Sequence, residues 1–140
     1  MSTVRVAAFA AAPSLFLAFD FGTKRVGVAS GNSLTQTATP LGTLAHDNSG
    51  ARLAAIAVLV EEWQPAALVV GVPRHPDGAA HDNTRRAERF ARQLRARFGL
   101  PVHEVDERYT TTEALAAGAA DVDAASAALI LEQYFNQPPR

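Results

Sequence analysis

Apolar and polar positions predict a chain that begins with strands and continues with alternating helices and strands. Ser14 to Asp20 is continuous, apolar and aromatic, which is typical of a buried strand. Arg25 to Ser30 alternates like a second strand after a glycine-containing turn, so the two segments should pair as a hairpin. A third strand is expected from Thr39 to Leu44. The chain therefore opens with three antiparallel strands.

The middle of the chain changes to helical spacing. Asn48 or Ser49 is a suitable cap for a helix whose apolar positions continue to Val60, and Pro65 marks its exit. Ala67 to Val72 is apolar at both odd and even positions, which is typical of a central strand covered by helices on both faces. This strand should therefore lie inside the sheet.

The second half repeats the alternation of helix and strand. An amphipathic helix with one arginine-rich face should end at Gly99, and Pro101 to Glu107 is a further strand. Thr110 and Glu113 have capping-box spacing for a short helix, and a last helix is expected from Val122 to Phe135. Together the elements predict an α/β fold with a mixed central sheet, in which parallel strands follow the antiparallel ones and helices flank both faces.

The length of 140 residues suits one domain. We expect residues 14–137 to form it and residues 1–13, rich in small side chains, to be a flexible extension. No segment is long enough to span a membrane, and the first residues make a poor signal peptide, so a cytoplasmic protein is expected.

Composition narrows the chemistry that the chain can perform. The absence of cysteine excludes disulfides, thiolate metal sites and a cysteine nucleophile, so a metal would need oxygen or imidazole ligands. The net charge of -1 does not by itself indicate a nucleic-acid partner. Any such interaction must therefore depend on where the charges lie.

Three acidic residues stand at the ends of predicted elements. Asp20 ends the first strand, Glu107 ends a later strand, and Asp123 is in the first turn of the last helix. Carboxylate oxygens suit Mg²⁺ or Mn²⁺, and such ions activate water and neutralise charge in phosphodiester hydrolysis. Each acid also has an ordinary interpretation: a turn residue for Asp20, an ion pair with Arg108 for Glu107, and helix-dipole stabilisation for Asp123.

Four sequence blocks make the interpretation more specific. LAFDFGTKRVGVAS begins at Leu17, VVGVPRHPDG at Val69, VDERYTTTEA at Val105 and VDAASAALILEQYF at Val122. In this order they resemble the YqgF family, also called RuvX, whose members are described as nucleases maturing the precursor of small-subunit ribosomal RNA and as Holliday-junction-resolvase-like proteins. The resemblance implies an RNase H-like fold and nuclease activity.

The same resemblance assigns expected roles to individual residues. It implies that Asp20, Glu107 and Asp123 are the catalytic residues and the ligands of Mg²⁺ or Mn²⁺. The candidates for binding substrate phosphate are the basic residues in or beside the blocks, namely Lys24, Arg25, Arg74 and Arg108. The expected partner is structured RNA, with a DNA junction as the nearest alternative.

One segment departs from the family pattern. Family members usually carry a longer basic stretch where this chain has the short, alanine-rich run Ala114 to Asp121. Arginines of the second helix could compensate, although such a run is also typical of a solvated face. A non-catalytic RNA-binding factor in ribosome assembly therefore stays open.

Two further hypotheses follow from single features. The Asp-Phe-Gly-Thr turn also resembles a phosphate loop of actin-like ATPases, but this chain is too short for the two domains that those proteins close around ATP. The apolar surface of the last helix, including Leu129 and Phe135, is expected to be core, and part of it could serve a homodimer contact.

Overall fold

The computed structural model describes residues 14–75, 77, 79–107 and 118–137. Their strands are β1 (Leu15–Phe21), β2 (Val26–Asn32), β3 (Thr37–Leu44), β4 (Ala67–Val72) and β5 (Val102–Asp106). Their helices are α1 (Ser49–Trp63), α2 (Asp82–Phe98) and α3 (Val122–Phe135). The expected N-terminal extension and the short helix predicted after Thr110 lie outside the described residues.

The strands form one mixed sheet in the order β3-β2-β1-β4-β5. β1 pairs antiparallel with β2 and parallel with β4, β2 pairs antiparallel with β3, and β4 pairs parallel with β5. The predicted hairpin closes between Phe21 and Val26, which are paired in register. The prediction of three antiparallel strands followed by parallel ones is confirmed.

Helices cover both faces of the sheet because side chains along each strand alternate between them. From β1, Leu17 and Phe19 join the cluster that contains the buried side chains of α1 and α2. Ala18 joins the cluster that contains Ile130 and Leu131 of α3. Asp20 has the same parity as Ala18, so its side chain lies on the α3 face.

The helix ends follow local capping chemistry. Asn48 caps α1 by accepting a bond from the backbone N–H of Ala51 at 3.0 Å. α2 ends, as predicted, at Gly99 in the left-handed region with φ 65°. Its N-cap is His81, in a reciprocal capping box with Thr84. Among the described helices, none combines the length and the apolar character needed to cross a lipid bilayer.

Ser126 is buried where α3 packs on the sheet, and its hydroxyl has no hydrogen-bond partner among the described residues. An unsatisfied buried hydroxyl costs about 1–3 kcal/mol. Ser126→Ala removes this cost and keeps the small volume, so we expect the free energy of unfolding to rise by about 1 kcal/mol. Urea denaturation checks this, and a fall in stability would mean that the hydroxyl makes a stabilising hydrogen bond.

Candidate active site

Two of the predicted acids lie at one edge of the sheet. β1, β4 and β5 run parallel, so their carboxyl ends meet there, at the edge where ligands bind in open α/β sheets. Asp20 is the penultimate residue of β1, and Glu107 directly follows β5. The N–H of Glu107 donates to the carbonyl of Val72 at 2.9 Å, which extends the pairing of β5 with β4 to this residue.

Gly71 brings the side chain of Glu107 to the α3 face beside Asp20. Gly71 is the register partner of Asp20 in β4. A Cβ atom built on Gly71 would lie 3.3 Å from Cγ of Glu107 and 2.5 Å from Cδ1 of Ile130. The Glu107 side chain therefore lies over the immediate neighbour of Asp20, in a gap that a larger residue would fill.

Gly27 brings Asp123 to the other side of Asp20. Gly27 is the register partner of Asp20 in β2, and a Cβ atom built on it would lie 1.9 Å from the carbonyl oxygen of Asp123. Only glycine permits such a close approach of helix and strand backbones. The three acidic residues are thus grouped around one row of the sheet, formed by Gly27, Asp20 and Gly71.

The first turn of α3 is fixed by its N-cap residue, Asp121. One oxygen of this carboxylate accepts bonds from the hydroxyl of Thr43 at 2.6 Å and from the N–H of Ala124 at 3.0 Å. The Thr43 hydroxyl, followed by the Ala124 N–H, lowers the pKa of Asp121, while partial burial opposes the shift. These bonds join α3 to β3 and so hold Asp123 at its place over Gly27.

Basic residues of the β1–β2 turn border the Asp123 carboxylate. Nε of Arg25 lies 3.1 Å from Oδ2 of Asp123, with the two side chains 67% and 33% exposed. Lys24, Arg25 and Asp123 line an open cleft of about 460 Å³, together with Gly22 and Thr23. The structure thus brings two of the predicted phosphate-binding residues to one of the predicted acids.

Of the other two predicted phosphate-binding residues, only Arg74 lies in the described part of the chain, and it does not line this cleft. Arg74 forms an ion pair with Glu88 of α2, with 3.2 Å between Nη2 and Oε2. It is therefore directed towards the α2 layer. Arg108 lies outside the described residues.

The acids suit a hard divalent cation by residue type. Their oxygens are the ligands that Mg²⁺ and Mn²⁺ prefer. The space beside the two glycines is filled by the backbone of Asp123 at Gly27 and by the side chains of Ile130 and Glu107 at Gly71. Within the described part of the chain, however, no three His, Asp or Glu side chains lie close enough to hold an ion as they stand. The Asp123 carboxylate is held by Arg25 instead, so ion binding would require a change of side-chain partner.

Sequence reasoning missed the supporting residues of this site. Gly27 was not singled out, although it stands on the same face as Asp20 in an alternating strand. No feature of the sequence indicated a role for Thr43, because its partner Asp121 is distant in sequence. Arg52, a helix residue that is only 6% exposed, was also overlooked. The position of Arg52 among apolar residues of the predicted helix could have indicated that it is buried.

The fold is shared with RuvC from Thermus thermophilus. Two structures of RuvC from Thermus thermophilus, one of them in complex with a Holliday junction substrate, match with TM-scores of 0.57 and 0.56. Their sequences are 16% and 14% identical to this chain. The matched region covers 87% and 86% of this chain and 93% of each RuvC chain. At such low identity the likeness defines the fold alone, and it confirms the expected RNase H-like architecture.

Sequence comparison defines the family more closely. The model of the family described as "RuvX: Holliday junction resolvase" matches residues 14–137. A relative from Polaromonas sp. is 63% identical, over 99% of this chain and 100% of the relative, and one from Albidiferax ferrireducens is 65% identical, over 86% and 76%. Both bear the name "Putative pre-16S rRNA nuclease". The chain belongs to the RuvX family.

The contact between Gly27 and α3 predicts a sharp difference between two glycines. Gly27→Ala would force the first turn of α3 away from β2, so we expect it to lower the free energy of unfolding by about 3 kcal/mol. Gly42→Ala in β3 is the matched control, because its Cβ would meet nothing within 4 Å. Urea denaturation of both variants checks this, and equal stabilities would show that α3 does not depend on the contact.

The bond between Thr43 and Asp121 predicts a pH-dependent contribution to stability. A lowered pKa stabilises the folded protein above the ordinary value of 3.8, and this stability is lost as the pH falls through the lowered pKa. Thr43→Val should therefore cost about 1 kcal/mol near neutral pH and progressively less in acid. Denaturation at several pH values checks this. Thr39→Val, in the same strand, should show no such trend.

Proposed function

We propose that this protein is a divalent-metal-dependent nuclease that hydrolyses phosphodiester bonds in structured RNA. Its expected role is maturation of the 16S ribosomal RNA precursor in the cytoplasm. Membership of RuvX and the name of its relatives support the substrate. The single observation that carries the proposal is the grouping of Asp20, Glu107 and Asp123 around one row of the sheet.

The three acids are proposed as both ligands and catalytic residues. Asp20 and Glu107 come from strand ends in one hydrogen-bonded sheet, which keeps their backbones in a fixed relation. Asp123 comes from a capped helix end whose position Gly27 and Asp121 define. When bound, Mg²⁺ or Mn²⁺ supplies an activated water and neutralises charge on the leaving oxygen.

Arg25 has two proposed partners. In the described conformation it neutralises part of the negative charge by pairing with Asp123. Such an exposed ion pair contributes only about 0.2–1 kcal/mol, so the exchange for a divalent cation costs little. Once released, Arg25 extends from the same turn as Lys24, and both then bind phosphate oxygens of the substrate.

A DNA junction is the second candidate substrate. The matching family is described as "Holliday junction resolvase", and backbone hydrolysis of RNA and DNA uses the same carboxylates. The two substrates differ in helix shape and in the 2′-hydroxyl, which contacts outside the acid group would recognise. An assay with both nucleic acids separates these candidates.

Conservative replacement of the acids tests the nuclease proposal. We expect Asp20→Asn and Glu107→Gln to reduce cleavage by at least about 100-fold, because each keeps the side-chain volume and removes a negative oxygen. Asp82→Asn and Glu61→Gln are matched controls on exposed helix positions and should cleave like wild type. The assay incubates each purified protein with Mn²⁺ or Mg²⁺ and a fragment of 16S precursor RNA or a four-way DNA junction.

Two outcomes would contradict this proposal. Equal cleavage by wild type and Asp20→Asn would identify a contaminating nuclease, and cleavage that continues in excess chelator would remove the metal requirement. Calorimetric titration with Mn²⁺ measures ion binding and so adds a readout that is independent of cleavage. Failure of wild type to bind the ion or to cut either nucleic acid would favour a non-catalytic RNA-binding factor in ribosome assembly.

A further inference from the structure

A second cavity lies behind the β1–β2 turn, on the opposite face of the sheet from the acids. It has a volume of about 190 Å³ and lies between the start of α1 and the side of α2. Thr23 lines both this cavity and the cleft of Asp123. The turn is therefore the wall between the two. The residues of the cavity used below are Thr23, Ser49, Arg52, Arg86, Arg89 and Gln93.

Arg52 is the buried part of this cavity. It is only 6% exposed, and its guanidinium donates to the carbonyl of Thr23 at 2.7 Å and to the carbonyl of His46 at 2.6 and 3.1 Å. These bonds use Nη2 and Nε, and the donors of Nη1 have no acceptor among the described residues. Both partners are neutral carbonyl groups. The bonds therefore orient the guanidinium without neutralising it.

The charge of Arg52 lacks a carboxylate partner within ion-pair distance among the described residues. Burial lowers the pKa of Arg52 and Asp47 opposes the shift, but a guanidinium stays protonated near neutral pH. A buried charge that is only partly compensated, here by Asp47 and by the Phe21 ring 5.3 Å from Cζ of Arg52, costs free energy. An anion entering the cavity would offset that cost.

Two arginines of α2 add to the same positive charge. Arg86 and Arg89 are one helical turn apart, and both line the cavity. Arg86 bonds the neutral side chain of Asn83 at 3.1 Å. Arg89 pairs with no acid in the described part of the chain. Arg85 and Arg95, by contrast, are paired with carboxylates. The cavity thus has three cations in its wall and no acid.

We propose that this cavity binds a backbone phosphate of the nucleic-acid substrate, an inference that rests on the proposed function. A volume of about 190 Å³ is smaller than the roughly 300 Å³ at which small-molecule sites begin, so it suits a phosphate group better than a whole nucleotide. Guanidinium groups match phosphate oxygens in pairs. Ser49 and Gln93, bonded to each other at 3.3 Å, supply further polar groups.

The shared wall indicates how one substrate reaches both cavities. Thr23 presents one surface to the cleft of Lys24, Arg25 and Asp123 and another to the arginines. A nucleic-acid strand that passes over this turn would leave one phosphate beside the acids and another beside Arg52. The arginine cavity is therefore an anchoring site for the strand, next to the cleft of the acids.

Binding measured without cleavage tests this inference. A fluorescein-labelled RNA stem-loop is titrated in EDTA, at salt concentrations between about 50 and 200 mM, with anisotropy as the readout. For Arg86→Gln/Arg89→Gln we expect about tenfold weaker binding, because two phosphate contacts are lost. The slope of the logarithm of the binding constant against the logarithm of the salt concentration should decrease in magnitude by about 1–2 for the same reason. Arg85→Gln/Arg92→Gln removes the same charge from the same helix outside the cavity and should bind like wild type.

Each other outcome overturns the anchoring site. Equal losses in the two double variants would indicate diffuse attraction, and no loss in either would show that the strand does not reach the cavity. Calorimetry with inorganic phosphate provides a further arm: phosphate binding that Arg86→Gln/Arg89→Gln abolishes, with RNA binding unchanged, would indicate a site for free phosphate. This experiment measures binding and not cleavage. Its failure would contradict the anchoring site alone, whereas the nuclease proposal is tested separately by the cleavage assay with Asp20→Asn.

Discussion

The architecture of this protein depends on the direct contact between the first turn of α3 and the backbone of β2. The missing side chain of Gly27 lets the helix descend until the carbonyl of Asp123 almost touches the strand. Gly71, on the other side of Asp20, leaves room for the side chains of Ile130 and Glu107. The absence of side chains at Gly27 and Gly71 thus allows acids from a strand, a strand end and a helix to lie in one region.

Charge is divided between the two faces of the sheet at its carboxyl edge. The α3 face carries the acids, and the α1 and α2 face carries arginines that lack carboxylate partners in the described chain. The β1–β2 turn separates the acidic group from the arginine cavity and contributes Lys24 and Arg25 to the acidic side. A protein with a net charge of -1 can therefore attract a polyanion to a limited region.

The sequence predicted the elements well because their signals are local. Continuous apolar runs, turn glycines and capping residues gave β4 and α3 with the bounds that the structure has. Contacts between distant segments were less accessible. The bond of Thr43 to Asp121 and the carbonyl bonds of Arg52 arise from tertiary packing, which no spacing rule reveals. The acids were selected with help from family resemblance, and their ligand roles stay predictions.

The ion pair between Arg25 and Asp123 has a consequence for how the domain folds. Gathering carboxylates before any counter-ion arrives would make the native state self-repelling at low ionic strength. The guanidinium of Arg25 reduces that repulsion at Asp123, because folding brings these two side chains together. A divalent ion bound as proposed would then replace this guanidinium at the Asp123 carboxylate of an already folded domain.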